Sequence, residues 1–159
     1  MKKIIIFLTV AIFTVMGCQN ETKVVSTKKS FEEEVKSQIM LQVDSLYAVY
    51  ERFDYDWIEF FANNYTAIYA NAPIQHMTKD SLRAQWKRIY AKYDVKLLDR
   101  GRPNIIASQD MAISYNTFHE IFINKDTHDT IKNVGVYIVN WKRQPNDSWK
   151  IVFETVQTN

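Results

Sequence analysis

The chain has 159 residues, 47% of them hydrophobic, with a formal net charge of +2 at pH 7. Its length suits a single domain with its own core, and the balanced charge does not indicate nucleic-acid binding. One cysteine excludes an internal disulfide framework, and the three histidines have no metal-binding spacing. With only three glycines and no GxSxG motif, we expect no phosphate loop and no cofactor.

The first seventeen residues have the layout of an export signal. Lys2 and Lys3 precede the apolar run Ile4–Val15, which is shorter than the roughly 20 residues of a membrane-spanning helix. The ending VMGC at residues 15–18 resembles a lipobox, the cleavage site of lipoprotein signal peptidase. The resemblance implies that residues 1–17 are a signal peptide and that Cys18 is acylated. An ordinary cleaved signal peptide is the alternative.

Acylation of Cys18 predicts where the protein resides. Cleavage removes both leader lysines, so the mature chain is formally neutral. We expect a lipoprotein anchored in membrane lipid, in the cell envelope, at the outer membrane and facing the periplasm or the cell surface. Residues 18–29 are polar and without helical period, which predicts a tether to a domain spanning residues 30–159.

The domain is predicted to open with helices. Ser30 and Glu33 form a capping-box pattern, and a stripe of apolar residues follows at helical spacing. Its members are Val35, Ile39, Val43, Leu46, Tyr50 and Phe53. Asp54 and Asp56 suit the start of a short second helix that Asn63-Asn64 ends. A third helix, capped by Thr78, carries the stripe Leu82, Trp86, Ile89 and Tyr93.

Strands are predicted by β-branched and aromatic runs bounded by turn residues. The first, Tyr65–Ala70, lies between the second and third helices. The others are Val95–Arg100, Ile105–Ser108, Met111–Asn124, Ile131–Arg143 and Ser148–Gln157. Helices followed by antiparallel strands indicate an α+β fold, with the helices on one face of a curved sheet.

Three segments carry a resemblance to the NTF2-like superfamily, which includes ketosteroid isomerase and SnoaL-like proteins. They are FDYDWIEFFANNYTAIYA, MTKDSLRAQWKRIY and GVYIVNWKRQPNDSWKIV. Together with the element order, the resemblance covers about Phe31–Val156. It implies a cone-shaped fold, in which three N-terminal helices pack on a curved antiparallel sheet and close the mouth of a cavity.

Bulky residues on the predicted helix stripes and strands are candidates for the cavity wall. The ligand-binding candidates are Trp57, Trp86, Tyr115, His119, Tyr137 and Trp141, with Tyr50 beside them. Alternation places Tyr115 and His119 on one side of their strand and Glu120 on the other. Which side faces inward stays open at this point, and plain core packing is the alternative for each aromatic residue.

The same resemblance indicates which positions a catalytic site would use. The position of the carboxylate base of the ketosteroid isomerases falls on Tyr69, and a tyrosine is a poor base at neutral pH. Glu154 is expected at a solvated edge, and an acid of the pocket is the alternative for it. An enzyme would therefore use His119 as acid or base with Tyr50 or Tyr137 as hydrogen-bond donor.

The strand Val134–Val139 is apolar on both alternations, which predicts a cover on each face and a homodimer through the sheet.

Three functions remain open. We favour a membrane-anchored protein that binds a small hydrophobic ligand without chemistry. The alternatives are an isomerase, dehydratase or cyclase, and a protein-interaction module of the envelope.

Overall fold

The computed structural model describes residues 20–70 and 72–158, with side chains from residue 31 onward. The predicted signal peptide and the predicted acylation site, Cys18, lie outside these residues. The helices are α1 (Asn20–Tyr50), a short 3-10 helix (Asp56–Phe60) and α2 (Lys79–Lys92). The strands are β1 (Phe61–Tyr69), β2 (Gln75–Thr78), β3 (Tyr93–Arg100), β4 (Asn104–Ala107), β5 (Met111–Asn124), β6 (Thr130–Arg143) and β7 (Trp149–Thr158).

The seven strands form one sheet in the order β2-β1-β7-β6-β5-β3, with β4 paired to β5. All pairs are antiparallel except β1 with β7, which is parallel. Register shifts interrupt three ladders, between Leu97 and Asp99, between Asn140 and Trp141, and between Phe61 and Thr66. Such irregularities bend strands, and the sheet is curved. The predicted α+β class is confirmed.

Helix α1 packs its apolar stripe on the sheet as predicted. Val35 and Ile39 are fully buried, and Val43 and Leu46 nearly so. The helix begins at Asn20, ten residues before the predicted start, within the segment expected to be a tether. Residues 20–30 contain no glycine or proline, and a helix that has formed extends easily through such a segment. The Ser30 capping pattern therefore lies inside the helix. Within the described residues, no helix is long and apolar enough to span a membrane.

The second helix is shorter than predicted, and a strand takes over its last residues. It is a five-residue 3-10 helix whose Trp57 and Ile58 are buried. Strand β1 begins directly afterwards at Phe61, which pairs with Ile151 of β7. Pairing with a neighbouring strand decides the backbone here, because local propensity is a weak determinant of strand boundaries.

Helix α2 has the predicted cap. The Ser81 amide donates to Thr78 Oγ1 at 3.1 Å, and the Thr78 amide donates to Ser81 Oγ at 2.9 Å, so both orphan donors are satisfied. Leu82 on its inner face is 1% exposed. The short strand β2 before this helix was not predicted, and it pairs with β1 as a hairpin.

Alternation along β5 determines what faces the helices. The inward side chains are Ala112, Ser114, Asn116, Phe118 and Glu120, all buried, while their odd-numbered neighbours point to the outer face. Opposite Ala112, Trp141 of β6 is fully buried and donates its indole N–H to Ser114 Oγ at 2.8 Å. Ala112 and Trp141 thus belong to the packed core at this end of the sheet.

Candidate functional site

A cavity of about 400 Å³ lies between the helices and the inner face of the sheet. This volume falls within the roughly 300–1,000 Å³ of small-molecule sites. Its apolar and aromatic lining residues are Leu46, Tyr47, Tyr50, Trp57, Tyr69, Ala70, Leu82, Trp86, Ile89, Leu97, Phe118, Phe122, Tyr137 and Val156. Its other lining residues are Gln85, Glu120, Asn133, Glu154 and Thr158.

The cavity wall contains four of the residues proposed from sequence. Tyr50, Trp57, Trp86 and Tyr137 all line it. They reach it from α1, the 3-10 helix, α2 and β6, so residues far apart in sequence meet at one site.

Three other candidates do not line the cavity. Tyr115 and His119 lie on the outer face of β5, because the inward positions of that strand have even numbers; Tyr115 is 37% exposed. Trp141 does face inward, but it is packed in the closed core beside Ser114. The prediction that these three residues line the cavity is therefore wrong, and His119 is on the wrong side of the sheet to act with Tyr50 there.

Glu120 is a buried carboxyl group on the cavity wall. It is 8% exposed, and its two oxygens accept hydrogen bonds from Tyr50 Oη at 2.8 Å and Asn133 Nδ2 at 2.6 Å. Burial raises the pKa of Glu120 above its usual value, and the two hydrogen bonds offset part of this rise. Both donors are neutral, so they orient the carboxyl group without balancing its charge.

Glu154 is a second buried carboxyl group, held by tyrosines. It is 5% exposed, and it accepts hydrogen bonds from the hydroxyl of Tyr69 and from Tyr137 Oη, the latter at 2.7 Å. The hydroxyl of Tyr65, which is buried without a well-formed hydrogen bond, also faces this carboxyl group. Burial raises the pKa of Glu154, and the tyrosine hydroxyls oppose this shift.

The carboxyl groups also act on their tyrosine partners. Burial first, and then the nearby Glu154 charge, raise the pKa of Tyr69 and Tyr137 well above the usual value of 10.0. Burial and Glu120 do the same to the pKa of Tyr50. These hydroxyl groups therefore stay protonated near neutral pH and act as hydrogen-bond donors, not as bases.

Three rings form a cluster that we call the aromatic box: Tyr50, Trp57 and Trp86. Their centroids lie 5.7 Å (Tyr50 to Trp57), 5.8 Å (Tyr50 to Trp86) and 5.2 Å (Trp57 to Trp86) apart, each pair close to edge-to-face. This geometry is the favoured one for aromatic pairs. Since the Tyr50 hydroxyl donates to Glu120, the aromatic box and this carboxyl group share one wall of the cavity.

Cationic side chains are missing from this wall. None of the described residues that line the cavity is a lysine, arginine or histidine. Arg100 is the cation associated with the wall residue Tyr47, stacking 4.7 Å from its ring centroid, and it already pairs with Asp44 at 2.7 Å. The described residues also hold no group of three or more side chains suited to a metal ion.

Sequence reasoning missed both buried carboxyl groups as functional residues. Glu120 was correctly placed opposite His119, but nothing in the strand pattern showed which face was inward. Glu154 was expected at a solvated edge, and this is wrong, because β7 lies between β1 and β6 inside the sheet. No signal in the sequence separated the two faces, because Ser114, Asn116 and Glu120 on one alternation are matched by Thr117 and His119 on the other.

Comparison with solved structures identifies the fold. An NTF2-like superfamily protein from Salmonella enterica matches with a TM-score of 0.64 and 17% identity, covering 79% of this chain and 92% of its own. A hexachlorocyclohexane dehydrochlorinase from Novosphingobium barchaimii matches with a TM-score of 0.63 and 11% identity, covering 79% and 88%. A ketosteroid isomerase-like protein from Erwinia carotovora matches with a TM-score of 0.56 and 12% identity, covering 73% and 89%.

The chain thus has the NTF2-like fold, as the sequence resemblance implied. Within residues 20–70 and 72–158, it differs from the expected arrangement in having two α-helices and a 3-10 helix where three helices were predicted. No protein-family model matches the sequence, and no curated protein matches it.

Proposed function

We propose that the protein binds a small, mainly apolar molecule in the cavity between its helices and sheet. The observation that carries this proposal is the cavity of about 400 Å³, walled by aromatic rings and bearing two buried carboxyl groups. Apolar walls supply the affinity for a ligand, and a few fixed polar groups determine its orientation. Binding without chemistry accords with the hydroxyl and amide donors that hold all four carboxyl oxygens.

The polar groups of the wall favour a ligand that donates hydrogen bonds. Each oxygen of Glu120 and Glu154 accepts one hydrogen bond from the protein, and a carboxyl oxygen has room for a second one. The hydroxyls of Tyr50, Tyr69 and Tyr137 already donate to these oxygens. A ligand with a hydroxyl or amine group therefore complements the site better than one with acceptors alone.

Calorimetric titration with apolar compounds that carry one polar group, beginning with phenethyl alcohol, tests the proposal. The exposed Ala70 lines the cavity, so Ala70→Trp is expected to obstruct it and weaken binding about tenfold or more, since each 1.4 kcal/mol is tenfold. Ala84→Trp is the matched control, because Ala84 is an exposed residue of α2 outside the cavity wall. Equal binding by wild type and Ala70→Trp would place the ligand elsewhere and contradict the proposal.

A second candidate function is proton transfer by Glu154. Its raised pKa and the flanking hydroxyls of Tyr69 and Tyr137 favour this reading, because a buried carboxyl group beside hydrogen-bond donors suits acid–base chemistry. Dehydrochlorinase and ketosteroid isomerase-like proteins are among the structures of the same fold. Exchange of ligand protons in deuterated water that stops in Glu154→Gln, with binding retained, would select this function.

We further propose that the domain is anchored to the envelope through acylated Cys18. The lipobox-like ending VMGC and the apolar run before it support this location. Expression with a labelled fatty acid tests it: the wild-type chain should carry the label and reach the membrane fraction, and Cys18→Ala should do neither. Label in Cys18→Ala would contradict the assignment.

The outer face of the sheet supports the homodimer as a proposal. Val134 is 40% exposed there, and Tyr115 and Ile106 on neighbouring strands are 37% and 60% exposed. Several exposed apolar side chains on one face favour an interface there. Light scattering should give a dimer mass for wild type and a monomer mass for Tyr115→Glu. A wild-type monomer at high concentration would leave this face to a different protein partner.

A further inference from the structure

We propose that the cavity selects an organic cation, an amine or quaternary ammonium group on an apolar body, and that Glu120 and the aromatic box receive the charged head. This inference rests on the proposed ligand-binding function and names the chemical class of the ligand. It is carried by a buried carboxyl group without a cationic partner, set against a wall of three aromatic rings.

The carboxyl group of Glu120 has no cationic partner on the described cavity wall. Buried carboxyl groups are ordinarily paired with a cation or held by a metal, because an isolated charge is expensive in a low-dielectric interior. Glu120 is 8% exposed and has only the neutral donors Tyr50 and Asn133. Since the described cavity wall contains no basic residue, a cation that enters the cavity would supply a counter-charge that the cavity wall does not.

The aromatic box is suited to receive a cation. The negative faces of aromatic rings attract cations, tryptophan most strongly, and rings that surround an ammonium group are a known recognition device. Trp57 and Trp86 meet Tyr50, whose hydroxyl also reaches Glu120. One ammonium group near the Tyr50 hydroxyl would therefore face both a carboxyl group and indole rings.

The surroundings of Glu120 differ from those of Glu154. Glu154 is surrounded by the hydroxyls of Tyr65, Tyr69 and Tyr137, whereas Glu120 accepts its hydrogen bond from Tyr50 of the aromatic box. In the register of the sheet, Glu120 is opposite Asn133 and Glu154 opposite Val139, six residues apart along β6. The two carboxyl groups thus define separate ends of the cavity, and only one end combines a carboxyl group with the aromatic box.

The experiment compares phenethylamine with phenethyl alcohol, which has the same shape but no charge, by calorimetric titration of the purified full-length protein near neutral pH. We expect the amine to bind about tenfold tighter, because a charge-assisted hydrogen bond and a cation–π contact together outweigh the cost of desolvating the ammonium group. In Glu120→Gln the ratio of the two affinities should fall to the part that the cation–π contact supplies. Glu154→Gln is the matched control and should keep the preference.

Each outcome decides one statement. If the alcohol binds and the amine binds no better, the cation inference is overturned and the proposed binding function stands. If neither compound nor any other apolar probe binds, the binding function itself fails. A preference that survives Glu120→Gln and is lost in Glu154→Gln overturns the assignment to Glu120. Phenethyltrimethylammonium has the charge but no N–H donor. In Glu120→Gln it should still bind more tightly than phenethyl alcohol, by a smaller factor than in wild type. Trp86→Leu should reduce that factor further.

Discussion

The hydroxyl of Tyr137 donates a 2.7 Å hydrogen bond to Glu154, linking the middle of β6 to the neighbouring strand β7 inside the cavity wall. Tyr137→Phe removes this donor and leaves a buried carboxyl oxygen unsatisfied, which costs about 1–3 kcal/mol of unfolding free energy. Denaturant titration measures the loss. Tyr115→Phe on the outer face is the control and should stay within about 0.5 kcal/mol of wild type; equal effects in both variants would contradict the assigned hydrogen bond.

The pH dependence of stability follows from burial of the carboxyl groups. The titratable groups that face them are Tyr65, Tyr69 and Tyr137 around Glu154, and Tyr47, Tyr50 and Tyr90 around Glu120, while Arg100 stacks on Tyr47. The folded-state pKa of each carboxyl group lies above its usual 4.5. The native state therefore holds protons more tightly, and stability falls as pH rises from 4.5 through the folded-state pKa.

Glu154→Gln isolates this effect, because the variant cannot titrate. Wild-type stability minus that of the variant should decline with rising pH, by at most about 1.4 kcal/mol per pH unit for one group. The variant is subtracted because exposed acids such as Glu59 also titrate. Lys79 lowers the pKa of Glu59, so the contribution of Glu59 to stability changes with pH in the opposite direction. A difference that is flat with pH, or that rises, would contradict a raised folded-state pKa of Glu154.

Much of the fold could be predicted from the sequence because its signals are local. The predicted bounds of β5 match the observed strand, Met111–Asn124, since turn residues flank it on both sides. The Thr78 cap was likewise predictable, as its hydroxyl and the Ser81 amide lie three residues apart. Both features depend on neighbours in sequence, where spacing and residue type fix the geometry.

The site was less predictable because it depends on contacts across the sheet. His119 and Glu120 are adjacent, and a one-residue change in which face is buried exchanges their environments. The face is set by how β5 pairs with β6 and by which side the helices cover, and neither relation is local. Glu154 was misplaced for a similar reason: the parallel pairing of β1 with β7 makes β7 an interior strand.

Ser114 is predicted to support the packed end of the core. Its hydroxyl accepts the indole N–H of Trp141 at 2.8 Å, and both side chains are buried. Ser114→Ala leaves this donor without a partner and should cost about 1–3 kcal/mol of unfolding free energy. Ser108→Ala is the control, because that serine is exposed and caps only a local turn. A neutral Ser114→Ala would show that the indole finds another acceptor.

Gly135 is predicted to be the glycine that the cavity requires. A Cβ added there would meet the backbone oxygen of Gln157 at 2.0 Å, and the backbone cannot rotate away as a side chain would. Gly135→Ala must therefore displace the end of β7, which carries the cavity residues Val156 and Thr158. We expect a loss of about 1–3 kcal/mol in unfolding free energy from the strain, together with weaker binding of phenethyl alcohol.

Gly101→Ala is the matched comparison for this effect. Its added Cβ would meet Thr117 Oγ1 at 2.4 Å, and a threonine side chain on the outer face of the sheet can change rotamer to make room. Denaturant titration should therefore give a smaller loss for Gly101→Ala, and ligand titration should give unchanged affinity, because Gly101 is outside the cavity wall. If both variants lost stability equally and neither lost affinity, the end of β7 would not shape the cavity, and the close approach of Gly135 to Gln157 would be a packing feature alone.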